Sequence, residues 1–173
     1  MSAGAVLALT NRRGGFAQGK DGTMSFANRI DPREMIGTWK LASQEVEIQA
    51  TGEKAPALGQ SPVGYAILTA DGRFMTVINA DGRKPPTTVQ ERTDLLNSMV
   101  AYTGKYRLEG DKWITTVDAA WNPEWVGTEQ TRFFRIEGDR LEVVSQWRVM
   151  PNWPDKGMQR SILVWEKVKA PAQ

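Results

Sequence analysis

The chain has 173 residues, a formal net charge of +2, seven tryptophans, and neither cysteine nor histidine. One ordinary domain with a sizeable core fits that length. The missing residue types remove disulfides, thiolate nucleophiles, the commonest metal ligands and the usual neutral-pH base, so no metal and no cofactor is expected. The small positive excess is dispersed, which argues against a nucleic-acid partner, and a cysteine-free chain suits a cytoplasmic location.

Near the start only Ala5-Val6-Leu7-Ala8-Leu9 is apolar, far short of the ~20 residues of a membrane helix. Arg12-Arg13 follows that run, the reverse of a secretory signal, so no membrane partner is expected. Residues 1–25 are Gly-rich and unpatterned and read as a flexible leader, with Met24 as an alternative natural start. Residues 26–168 then form the folded domain and 169–173 a C-terminal tail.

Asp31-Pro32-Arg33-Glu34 is a helix start, with Asp as N-cap and Pro in the first helical position. Gly37-Thr38-Trp39 opens a strand that tucks a large indole under the floor of a small barrel. A cationic residue from the far end of the chain, Lys167, is expected over that ring. Strict alternation from Trp39 to Glu47 puts Trp39, Leu41, Ser43 and Glu45 on one face. Residues 50–62 make a loop, and Asp71-Gly72 joins Gly64–Thr69 to Phe74–Ile78 as a hairpin. After a Pro-containing loop at 83–88, residues Gln90–Met99 read as a short amphipathic helix, placed to act as a lid. Strands follow at 101–109, 113–121, 128–137, 141–148 and 160–168, two of their turns being near copies, Glu109-Gly110-Asp111 and Glu137-Gly138-Asp139. Eight short strands with one helical insertion describe an all-β protein. Its simplest closure is an eight-stranded antiparallel up-and-down barrel with one or two short helices.

Several of these segments resemble, in order, those of the bacterial and fungal lipocalin-like domain proteins. They are Gly37–Leu41, Ser61–Tyr65, Thr69–Met75, Ala101–Tyr106, Asn122–Thr128, Gln130–Phe134, Gly138–Leu141 and Leu163–Glu166. The resemblance spans residues 35–168 and implies a calycin-type barrel with an interior cavity. Related barrels include plain carriers and cofactor-free enzymes that isomerise or cyclise natural-product intermediates. Where relatives often carry paired histidines before the Asn-Pro-x-Trp motif, this chain has Thr115-Thr116, so an imidazole-dependent function is not expected.

Strand parity nominates the cavity residues. Gln130 and Arg132 share a face with Phe134, and Tyr102 shares one with Tyr106. Trp147 extends the face of Leu141, Val143 and Ser145, and Ser43 and Glu45 extend that of Trp39. An arginine inside an apolar barrel requires a carboxylate, supplied either by Glu45 or by an anionic ligand. The favoured function is binding of a hydrophobic small molecule bearing an acidic or carbonyl group. Arg132, Gln130, Tyr102, Tyr106, Glu45, Ser43 and Trp147 are the contacts. The alternative is a cofactor-independent isomerase, cyclase or hydratase in the same cavity, with Glu45 as base and Tyr102 as acid. A homodimer through a strand edge or the rim aromatics is a third reading, with no dedicated motif behind it.

Overall fold

Among residues 31–151 and 153–169, which the computed structural model of the protein describes, ten strands form one antiparallel sheet. They are β1 (Gly37–Ile48), β2 (Lys54–Ala55), β3 (Val63–Leu68), β4 (Arg73–Asn79), β5 (Met99–Glu109), β6 (Lys112–Ala120), β7 (Glu129–Glu137), β8 (Arg140–Ser145), β9 (Arg148–Val149) and β10 (Met158–Lys167). Eight of them pair in series, and β1 closes on β10, so the barrel is eight-stranded as expected; β2 and β9 are two-residue additions at its margins. The repeated Glu-Gly-Asp turns hold Gly110 and Gly138 at φ of 63° and 59°, where a side chain is strained. The leader assigned to residues 1–25 and the last four tail residues lie outside the described residues.

The closed end follows from the first strand's opening residues. Helix α1 (Pro32–Met35), N-capped by Asp31, runs across the floor and buries Met35 completely. Trp39 is 0% exposed, and its indole N–H donates to the Met35 carbonyl at 2.9 Å. Lys167 places its ammonium 5.1 Å from the Trp39 ring centroid and donates to the Glu34 carbonyl at 2.9 Å. The ring is thus plugged from below and covered by the cation expected from the last strand.

Two departures from a regular ladder set the barrel's interior. In β1, Leu41 pairs with Trp165 but Ser43 pairs with Val164, so Ala42 is an extra, bulged residue. Beyond it the parity reverses: Gln44 and Val46 are buried, whereas Ser43 and Glu45 are exposed. The expectation that Ser43 and Glu45 face the cavity is therefore corrected. Along β5 and β6, Thr103 pairs with Ala119 while Gly104 pairs with Val117, which leaves Asp118 bulged outward and ion-paired with Arg73. Gly104 is required there, since a Cβ would stand 2.0 Å from the Thr116 carbonyl oxygen.

Helix α2 (Val89–Asn97) has a capping box, Thr88 and Glu91 each bonding the other's backbone. Glu91 therefore serves the helix start. None of its residues is buried, and Val89 and Leu96 are 81% and 51% exposed. The expected lid packs no apolar face on the barrel.

Replacing Trp39 by Ala should cost ~3–5 kcal/mol of unfolding free energy, as for other large core aromatics. Gly104→Ala should cost at least ~1–3 kcal/mol, because the contact is backbone that cannot rotate away. Urea denaturation of both proteins measures these losses; a Gly104→Ala protein of unchanged stability would contradict the tight β5–β6 contact.

Candidate functional site

Inward-facing side chains of the open half enclose a cavity of about 70 Å³. By the usual ~10–15 Å³ per enclosed water, that is room for a handful of non-hydrogen atoms. Its apolar walls come from Phe74, Ile78, Trp113, Val143, Leu163 and Trp165. Met150, Pro151 and Trp153, which follow β9, also line the cavity, whereas no residue of α2 does. A wider cleft of about 320 Å³ lies outside, between Asp81, Asp94, Ser98 and Trp153, and shares Leu58 and Trp153 with the cavity. Leu58 and Trp153 thus border both spaces.

The Asn122–Thr128 turn supplies the floor of the polar corner. Asn122 caps a single 3-10 turn, Pro123–Trp125, by accepting from the Glu124 amide at 3.0 Å, and this buries Trp125 in the cavity wall. Trp121 and Tyr102 meet the Trp125 ring edge-on, with centroids 4.7 and 5.2 Å away. Two guanidinium groups lie over that same ring, Arg148 at 4.4 Å and Arg132 at 6.0 Å from its centroid. Arg132 donates to the Thr131 carbonyl at 3.0 Å, and Arg148 donates through Nη1 to Gln130 Oε1 at 2.5 Å. Nε and Nη2 of Arg148 are buried with no hydrogen-bond partner among the described residues, as is Oε1 of Gln44. Among the described residues, no aspartate or glutamate lines the cavity.

The electrostatics follow from that imbalance. Burial among apolar side chains, and then the like charge of Arg132, lower the Arg148 guanidinium to about 10, against a smaller upward pull from Tyr102. Arg148 therefore remains charged at neutral pH, at a cost the cavity bears.

Parity located part of this set. Arg132 and Tyr102 line the cavity. Gln130 is buried behind it and holds Arg148, while Tyr106 donates its hydroxyl to the Thr69 carbonyl at 3.2 Å and packs on Trp113, outside the cavity lining. Burial, and to a lesser extent Asp71, raise the Tyr106 phenol above its ordinary value. Trp147 is a correction. The β8–β10 ladder stops at Val144–Ile162, Ser145 Oγ accepts the Ser161 amide at 2.9 Å, and pairing resumes with Arg148 opposite Gln159. An unbroken ladder would have set Trp147 there. The extra residue turns Trp147 outward beneath the Arg160 guanidinium, 4.5 Å from its ring centroid, and turns Arg148 in. Arg148 and Gln44 are thus the polar cavity residues that alternation missed, each displaced by one irregular step.

The sequence profile of the lipocalin-like domain matches residues 36–168. The chain belongs to the lipocalin-like domain family. This lipocalin-like barrel has the calycin-type fold, which usually binds small hydrophobic ligands. Among curated proteins, none matches the chain. No helix among the described residues is long and apolar enough to cross a membrane.

Because the Arg148 charge is disfavoured in the fold, Arg148→Met should raise the melting temperature of the ligand-free protein at pH 7. The folded-state proton is lost near pH 10 and the unfolded-state proton only at the higher ordinary value. The destabilisation is therefore fully present below pH 10 and fades above it, and the variant's advantage should shrink as pH rises through that value. A lower melting temperature at pH 7 would show that the Gln130 bond outweighs the burial cost.

Proposed function

We propose that the protein binds a hydrophobic small molecule whose acidic or carbonyl group enters the inner chamber. Its apolar body would fill the remaining chamber and the mouth beside Leu58 and Trp153. The observation that carries this reading is the pairing of two guanidinium groups in one apolar cavity with no acidic side chain among the described residues that line it. Elsewhere in the barrel the partly buried arginines have protein carboxylates: Arg160 bonds Glu47 at 2.8 Å, and Arg135 bonds Glu142 at 2.9 Å. Inside the cavity the counter-charge is left to the ligand.

The catalytic alternative loses ground on geometry. Its base, Glu45, stands exposed on the outer face, and Tyr102 is the other titratable group beside the two arginines at the cavity. An isomerase or cyclase here would have to work with a phenol and two cations. Binding without chemistry makes fewer demands on those groups.

Decanoate and decanol are suitable probes, since they share an apolar tail and differ in the charged end. Decanoate should bind, with decanol weaker by about tenfold or more, as expected for losing a charge-assisted hydrogen bond. Arg132→Met should weaken decanoate by a similar factor without stranding a carboxylate, because Glu45 is outside. Tryptophan fluorescence titration measures both; wild-type decanoate affinity in Arg132→Met would remove Arg132 from the site.

A further inference from the structure

The chamber's two arginines are not equivalent. Arg148 is held at two points. Its Cζ lies over the Trp125 ring, 4.4 Å from the centroid, and Nη1 is bonded to Gln130 Oε1 at 2.5 Å. Gln130 in turn donates through Nε2 to Thr128 Oγ1 at 2.9 Å, and Thr128 donates to the Trp125 carbonyl at 2.8 Å. Trp125, Thr128, Gln130 and Arg148 thus form a closed ring of contacts that fixes both the tilt and the rotation of the guanidinium. What this ring leaves over is Nε and Nη2, both buried and without a hydrogen-bond partner among the described residues. Those two N–H groups lie on one edge of the guanidinium and point the same way, at the spacing of the two oxygens of a carboxylate. Arg132, by contrast, turns Nη1 back onto the neighbouring Thr131 carbonyl.

We propose that Arg148 is the residue that recognises the ligand's head group. It takes a planar monocarboxylate side-on through Nε–H and Nη2–H, with Arg132 supplying the second positive charge. The inference rests on the small-molecule reading above and narrows it in two ways. The head group is a carboxylate rather than a neutral carbonyl, because two parallel N–H donors require two acceptors in one plane. The group directly attached to it is small and apolar, because the chamber holds about 70 Å³ and its lining includes Ile78, Val143 and Leu163. Gln130 acts as a positioning residue: it touches Arg148, not the ligand. The ring of contacts holds the guanidinium in place, and because Nε and Nη2 are closed off by their neighbours, those neighbours shift as the carboxylate enters. Gln44, whose Oε1 is buried and unpartnered in the same cavity, can turn its amide to donate to a carboxylate oxygen.

Isobutyrate and isobutyramide test this inside the full chain, being nearly the same size and differing in charge and in the second acceptor. Binding is read by calorimetry, and the Arg148 Nε–H resonance, assigned by comparison with Arg148→Lys, is followed by NMR. Isobutyrate should bind about tenfold or more tighter than isobutyramide and shift the Nε–H signal downfield. Arg148→Lys keeps the charge but removes the fork, and should cut that preference several-fold while the protein stays folded. Gln130→Leu should weaken isobutyrate several-fold and broaden the Nε–H signal; Gln130→Glu, which keeps the acceptor, should restore the sharp signal. Equal affinities for isobutyrate and isobutyramide, a preference unchanged in Arg148→Lys, or an unmoved Nε–H resonance would each overturn the assignment. Decanoate binding with no isobutyrate binding would overturn the carboxylate fork and leave the small-molecule reading standing. Isobutyrate binding without decanoate binding would keep the fork and overturn the long apolar body.

Discussion

A barrel closes only if its first strand can pair with its last along their whole length, and here that pairing has to accommodate one residue too many. Ala42 is pushed out of the β1–β10 ladder, so that Trp39 and Leu41 below it and Gln44 and Val46 above it all point inward. Without the bulge the upper half of β1 would turn Ser43 and Glu45 into the cavity and Gln44 out. The step therefore decides the chemistry of the chamber: it admits a neutral amide and keeps a carboxylate out. Among the described residues, none of the cavity lining then offers a carboxylate to Arg132 or Arg148.

Two cations in an apolar chamber are costly, and the structure spreads the cost over neutral groups. The Trp125 face lies under both guanidiniums, Gln130 takes one N–H of Arg148, and a main-chain carbonyl takes one N–H of Arg132. None of these cancels the charge; each only makes its burial tolerable. Two like charges held in a low-dielectric chamber leave a positive field inside it. The closed end shows the opposite economy. There Lys167 covers Trp39 and donates to the Glu34 carbonyl, so that the cation is placed at a ring face and a main-chain acceptor.

How much of this was legible in the sequence depends on where the ladder is regular. The barrel, its Gly-x-Trp floor and the cation over that floor follow from turn chemistry, alternation and the length of the chain. Tyr102 and Arg132 sit on strands whose side-chain period is undisturbed at those positions, and alternation placed them inward. Glu45, Ser43 and Trp147 lie just past a one-residue slip, where a correct period with a shifted phase gives the wrong face. No local residue marks either slip. Ala42 is flanked by Leu41 and Ser43, with no glycine or proline to signal a bulge, and Gln146-Trp147 continues an alternating pattern that the backbone abandons. Both slips are visible only from the partner strand, β10, whose register is a tertiary property. Arg148 was hidden by the same cause. The helix was found with nearly correct ends, but its role was not, because an amphipathic pattern says which side is apolar and not whether anything covers it.

That uncovered helix has a thermodynamic consequence. A nine-residue segment is shorter than the ~12–15 residues at which an isolated helix becomes even marginal in water. With no buried side chain, α2 is held by its capping box and by its tethers to β4 and β5 more than by packing. Its main-chain hydrogen bonds should therefore open at a lower free-energy cost than those of the closed sheet, and amide exchange should be faster along α2 than along the barrel strands.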